Sequence, residues 1–154
     1  MILGRAHLAD LPAIAGLEDE GFDHAAWSPD AWRGELQAHD RLVLVARSLA
    51  DDAVIGVATF QTVFEVADLH RVVVRADRRG QGIGRRLVRA GAEWAAALGA
   101  ERMMLEVDVT NVAARRLYGG LGFAPVSKRR DYYGAGRDAL VMSLDLGAFW
   151  RETA

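Results

Sequence analysis

The sequence predicts a single α/β domain, residues 1–154, with a mixed sheet, helices on both faces and the element order β-α-α-β-β-β-α-β-α-β-β. Three observations lead there. Val72, Val73 and Val74 run without alternation, as in a strand covered on both faces, and give way to a glycine-rich turn and an amphipathic helix. Residues 102–109 read as a strand with Glu106 and Asp108 opposite Leu105 and Val107, and a second helical pattern follows. Two hairpin patterns flank these units, residues 42–46 with 54–64 around Asp51-Asp52, and residues 123–130 with 138–144 around the Tyr132-Tyr133-Gly134-Ala135-Gly136 loop.

The remaining elements follow in order. Residues 2–7 form a short first strand. Asp10 caps a helix with Pro12 in its first turn, Leu11, Ile14, Ala15 and Leu17 on one face and Gly21 at its end. Ser28 and Pro29 open the next helix, whose apolar face carries Trp32 and Leu36, and Trp27 sits on the connection before it. Asp68 and His70 lie two apart on the strand that leads into Val72, so they share a face. The helix after the glycine turn presents Leu87, Ala90, Trp94 and Leu98, and Gly99 caps its end. Thr110 or Asn111 caps the last helix, which Gly122 closes; Asn111 and Tyr118 are close to two full turns apart and share a face.

Composition narrows the function. At 154 residues, 51% hydrophobic and 26% charged, the chain has the makeup of a globular protein with a real core. A net charge of −2 argues against binding dominated by nucleic acid or membrane. With no cysteine, thiol nucleophiles, disulfides and cysteine zinc sites are excluded, and no metal site is expected. No apolar run approaches a membrane span and the first residues lack a signal-peptide layout, so the expected location is the cytoplasm.

The chemistry concentrates at Arg79-Gly80-Gln81-Gly82-Ile83-Gly84. A glycine turn that runs into a helix N-terminus offers free N–H groups and the positive end of the helix dipole, and Arg78, Arg79, Arg85 and Arg86 add charge; the expected ligand is a phosphate-bearing cofactor. A Walker A loop would need Lys-Ser/Thr after Gly84, where Arg85 and Arg86 stand. A dinucleotide fingerprint starting at Gly80 and Gly82 would need glycine at 85. The pattern that fits is Arg/Gln-x-x-Gly-x-Gly, through Arg79, Gly82 and Gly84.

After a valine-rich strand, that pattern resembles the acetyl-CoA loop of the GNAT N-acetyltransferases. Leu105-Glu106-Val107, Asn111, Leu117-Tyr118 and Leu121-Gly122-Phe123 resemble the second half of the same site, and the likeness runs from about residue 10 to 144. Within the family the chain is similar above all to RimI-type protein N-terminal acetyltransferases, through Trp27-Ser28 and Arg129-Arg130-Asp131-Tyr132-Tyr133. It departs from them at Asp108, where arginine is usual, at His70-Arg71, where apolar residues are usual, and at Ala26, where proline is usual. These positions bear on the substrate more than on the reaction.

The resemblance implies the GNAT fold and an acetyl-CoA-dependent transfer of acetyl to a primary amine, foremost the N-terminal α-amine of a protein such as a ribosomal protein. It implies Glu106 as base, acting through water, and Tyr118 as acid. Val72, Val73 and Val74 are implied to bind the pantetheine and polarise the thioester, Arg79, Gly80, Gln81, Gly82, Ile83 and Gly84 the pyrophosphate, and Asn111 the pantetheine arm. Trp27, Tyr132 and Tyr133 are implied as the acceptor wall. An α-amine titrates near 8 and a lysine near 10.4, so the α-amine asks less of the base. A small-amine acceptor (amino acid, polyamine or antibiotic), a non-catalytic acetyl-CoA-binding module and an RNA-borne amine are the competing readings. Lys128-Arg129-Arg130 is read as the solvated end of a strand rather than a nucleic-acid patch. Monomer and homodimer are both compatible with the sequence.

Overall fold

The computed structural model describes residues 1–22 and 26–147. Its elements appear in the expected order: β1 Ile2–Arg5, α1 Leu11–Gly21, α2 Pro29–Gln37, β2 Arg41–Arg47, β3 Val54–Val63, β4 Val66–Val74, α3 Ile83–Ala97, β5 Arg102–Asp108, α4 Val112–Leu121, β6 Ala124–Arg129 and β7 Ala139–Asp145. Single 3₁₀ turns at Leu8–Asp10 and Ala76–Arg78 precede α1 and the glycine loop. The chain divides into two compact units, Met1–Gln61 with Arg71–Gly91 and Thr62–His70 with Ala92–Ala154.

In the first unit the strand order is β1-β2-β3-β4, and β1, β2 and β3 pair antiparallel. Asp52 takes the turn between β2 and β3 at φ 61°, with its N–H on the Ser48 carbonyl at 2.9 Å. The core joins Leu11, Ile14 and Leu17 of α1 and Trp32 of α2 to Val43, Val45, Val54, Val57 and Val73. Ser28 caps α2 as expected, its Oγ accepting the Ala31 N–H at 3.1 Å. Asp10 does something else. Its carboxylate accepts the His7 N–H at 2.8 Å and Arg47 Nη2 at 2.7 Å, so it closes the preceding 3₁₀ turn and ties it to β2 without capping α1. Gly21 is still helical, and Phe22 is the C-cap.

In the second unit the order is β4-β5-β7-β6. The β4–β5 ladder is parallel, Val66 to Asp68 against Arg102 to Met104, and β5–β7 and β6–β7 are antiparallel. The sheet is therefore mixed, as the sequence predicts. Asn111 caps α4 by accepting the Ala114 N–H at 3.1 Å, and Gly122 ends it at φ 103°.

Two expectations about burial change. Along β4 the residues alternate, with Ala67, Leu69 and Val73 buried while Asp68, His70, Val72 and Val74 are half-buried. The unbroken valine run hides this period, because β-branched residues suit a half-open strand face as well as a closed one. On α3 the buried stripe is Ile83, Leu87, Val88, Gly91, Ala92 and Ala95; Ala90 and Trp94 are half-buried, and Leu98 lies past the last turn and is exposed. Among the described residues no helix is long and apolar enough to cross a membrane.

Candidate active site

The glycine loop belongs to the first unit. Arg75 N–H bonds the Ile55 carbonyl at 2.9 Å and Arg79 Nε the Val74 carbonyl at 3.1 Å, which pins the loop to the strand that feeds it. Gly80 and Gly82 take φ of 76° and 82°, a region that L side chains avoid, and a Cβ built on either meets nothing within 4 Å. Their backbone is thus open to an approaching group. Arg86 N–H closes the first helical bond on the Gly82 carbonyl at 3.1 Å. The N–H groups of the α3 first turn have no carbonyl within the helix to bond, and they carry the positive end of its dipole. Gly80, Gln81, Gly82 and the Arg79, Arg85 and Arg86 residues are exposed, whereas Ile83 is buried and anchors the turn, its Cγ2 close above Gly56. Backbone N–H groups with guanidinium groups around them are the donors that a pyrophosphate needs, and these residues fit that group. Val72 and Val74 lie further along β4 than the ladder to β5, on its half-buried face, and Val73 points into the core.

In the second unit β5 sets Glu106 and Asp108 on the face opposite buried Met103, Leu105 and Val107. Glu106 is 28% exposed and paired with Arg129 Nη1 at 3.2 Å. The Tyr132 hydroxyl hydrogen-bonds the same carboxylate; that bond, with the carboxylate charge, holds the phenol above its ordinary value. Tyr133 meets Tyr132 edge-on at 5.1 Å, and its N–H bonds the Arg137 carbonyl at 3.0 Å. Structure therefore brings Glu106 and the two tyrosines together, and adds Arg129, which the sequence reading leaves as a solvated basic residue. Asp68, half-buried on β4, has its carboxyl raised, first by burial and further by Glu106, while His70 pulls it down. Asp108 is occupied: Thr110 and Arg137 bind it, Arg137 Nη2 at 2.6 Å, and these bonds outweigh burial to lower its pKa. Asp108 thus fastens the loop that carries Tyr132 and Tyr133.

Tyr118 is 7% exposed on α4, with Phe123 edge-on at 5.8 Å. Asn111 spends its side-chain oxygen on the α4 cap, and its amide nitrogen is the group left for another partner's acceptor.

Trp27 belongs to the first unit, half-buried, its ring 5.1 Å from that of Trp32. Beneath it lies a residue that the sequence reading missed. Glu18 is 0% exposed and its carboxylate accepts four bonds: Trp27 N–H at 3.0 Å, Trp32 Nε1 at 3.0 Å, and Arg71 Nε and Nη2 at 3.2 and 2.5 Å. The Arg71 guanidinium also covers the Phe22 ring at 3.7 Å and the Trp27 ring at 5.1 Å. A signal was present in the sequence, since Leu11, Ile14 and Glu18 follow helical spacing, which sets a carboxylate on the apolar stripe of α1. Among the described residues no group of three or more His, Asp or Glu is placed to hold a metal ion.

Comparison with known proteins places the chain in a family. Residues 9–123 match the acetyltransferase (GNAT) family. The chain is 34% identical to the N-alpha-acetyltransferase RimI of Mycobacterium tuberculosis over 152 residues, 94% of this chain and 92% of that protein. It is 31% identical to the N-acetyltransferase YobR of Bacillus subtilis over 113 residues, 71% of this chain but only 46% of YobR. Its structure superposes on the crystal structure of the ribosomal-protein-S18-alanine N-acetyltransferase from Escherichia coli with a TM-score of 0.85 and 28% identity, covering 94% of this chain and 93% of the other. With the fold, the glycine loop and the matched residues in agreement, the chain belongs to the GNAT family of acetyltransferases.

Proposed function

We propose that this protein transfers acetyl from acetyl-CoA to the N-terminal α-amine of a protein, with a ribosomal protein of the S18 kind as its acceptor. The observation that carries this is the similarity, over nearly the whole chain, to two proteins named for acetylating α-amines. Bound acetyl-CoA would supply an activated acetyl group and a thiolate leaving group.

The chain's residues take the following parts. Gly80, Gln81, Gly82 and Gly84 offer backbone N–H groups to the pyrophosphate, Arg79 adds charge, and Ile83 anchors the turn. Backbone N–H groups of Val72, Val73 and Val74 bind the pantetheine and polarise the carbonyl. The Asn111 amide donates to the same arm. Glu106 takes the proton that the acceptor ammonium must lose, through a water, and the ammonium competes with Arg129 for that carboxylate. Tyr118 holds at its hydroxyl the proton that the leaving sulfur needs. Trp27, Tyr132 and Tyr133 wall the acceptor. The amine nitrogen gains the acyl carbon as the carbon–sulfur bond breaks; of the two protons that the ammonium loses, one goes to Glu106 and the other replaces the proton that Tyr118 gives to the sulfur.

Free-thiol release from acetyl-CoA tests this. The acceptors are a peptide with a free N-terminal alanine, the same peptide N-blocked but carrying lysine, and a panel of polyamines and amino acids. Release is expected with the free α-amine alone, and Glu106→Gln should lower kcat by about 10²-fold or more with little change in acetyl-CoA affinity. Release with small amines alone would retire the α-amine reading; a Glu106→Gln enzyme with undiminished turnover would remove Glu106 as base.

A further inference from the structure

We propose that Arg71 is a positioning residue for the acceptor side: bound to buried Glu18, it holds the Trp27 indole in place. The inference rests on the reading of Trp27 as an acceptor wall.

A carboxylate withdrawn from water persists only where charge and hydrogen bonds replace its hydration. Glu18 has both, the Arg71 fork on its two oxygens and an N–H from Trp27 and from Trp32 on the same two atoms. Trp27 is therefore held twice, by its backbone on the carboxylate and by its ring under the guanidinium. Phe22, on the other flank of the connection between α1 and α2, lies against the same guanidinium. Arg71 stands directly before Val72, so the strand given to the cofactor and the wall given to the acceptor share this anchor. Lysine could not replace it, because a point charge neither bridges both oxygens nor stacks as a plane.

The test uses the full chain with the alanine peptide and acetyl-CoA, in Arg71→Met, Arg71→Lys and Trp27→Ala. Alongside, ¹⁹F spectra of protein labelled with 5-fluorotryptophan report on Trp27, its line assigned through Trp27→Phe. Arg71→Met should raise the peptide KM about tenfold and leave the acetyl-CoA KM within about twofold, while the Trp27 line moves. Arg71→Lys, which retains the charge and the fold if Arg71→Met does not, should shift the line and lie between in KM. A Trp27 line unmoved in both variants overturns the proposal, even if Trp27→Ala raises the peptide KM and so keeps the wall reading. A proportional rise of both KM values overturns it too, since the whole strand would then have moved. A line that moves while the peptide KM stays fixed, with Trp27→Ala equally silent, overturns the wall reading and the proposal with it. The fluorine measurement needs no acceptor, so it decides on Arg71 even if the peptide is not turned over.

Discussion

Asp68 sits half-buried on β4 with its carboxyl above the usual range, raised by burial and by Glu106 against the pull of His70. A raised carboxyl binds its proton more readily in the folded chain than in the unfolded one. Between the ordinary value of 3.8 and the raised one the native state therefore holds more protons, and stability falls as pH rises through that window. Asp68→Asn removes the buried charge and keeps the shape. It should melt higher than wild type at pH 7, and the advantage should vanish below about pH 4, where both states of Asp68 carry the neutral acid. Melting curves at the two pH values decide it; an equal difference at both would mean that the shift does not exist. At this scale the sequence is only partly legible. Glu106, Tyr118 and Asn111 can be nominated because each sits in a short motif. Glu18 shows only as a carboxylate on the apolar stripe of α1, and its pairing with Arg71 cannot be read, because that contact joins residues 53 apart in sequence, which no local spacing displays.

Helices and strands are more legible than contacts, because their signals are local. The Ser28-Pro29 start, the Asn111 cap and the Gly122 stop are each a side chain or a φ angle acting within one turn. Asp10 misleads for the same reason in reverse: its type suits a helix cap, and Arg47, distant in sequence, claims the carboxylate. The valine run on β4 misleads because residue type does not report which strand face is covered. Gly91 shows what a pattern search leaves out. A Cβ at this point of α3 would stand 2.1 Å from the buried Phe60 ring, so the helix packs there by having no side chain. Alanine would add about 0.5–1 kcal/mol of helix preference but would overpack the ring at a cost of about 1–3 kcal/mol or more. Gly91→Ala should therefore lower the denaturation midpoint, and adding Phe60→Leu should recover part of the loss; a more stable Gly91→Ala would refute the close contact.

For the molecule as a whole, binding and folding are linked, and this gives a test of the loop proposed for acetyl-CoA that needs no acceptor. A ligand that binds the folded chain alone stabilises it by about 2.7 kcal/mol at a hundred times its Kd. For a chain of 154 residues each kcal/mol raises Tm by about 2–4 °C, so saturating acetyl-CoA should raise it by roughly 5–10 °C. Gly82→Val is the control. Gly82 holds φ 82°, where a β-branched side chain is strained, and the new side chain would fill the open space through which a pyrophosphate reaches the backbone. The variant should melt somewhat lower than wild type by itself and show no rise with acetyl-CoA. A net charge of −2 gives the chain little general attraction for anions, so a rise with acetyl-CoA that inorganic phosphate does not reproduce would come from a built site. Wild type that ignores acetyl-CoA would refute the loop as its binding site; Gly82→Val that still responds in full would move the pyrophosphate elsewhere on the chain.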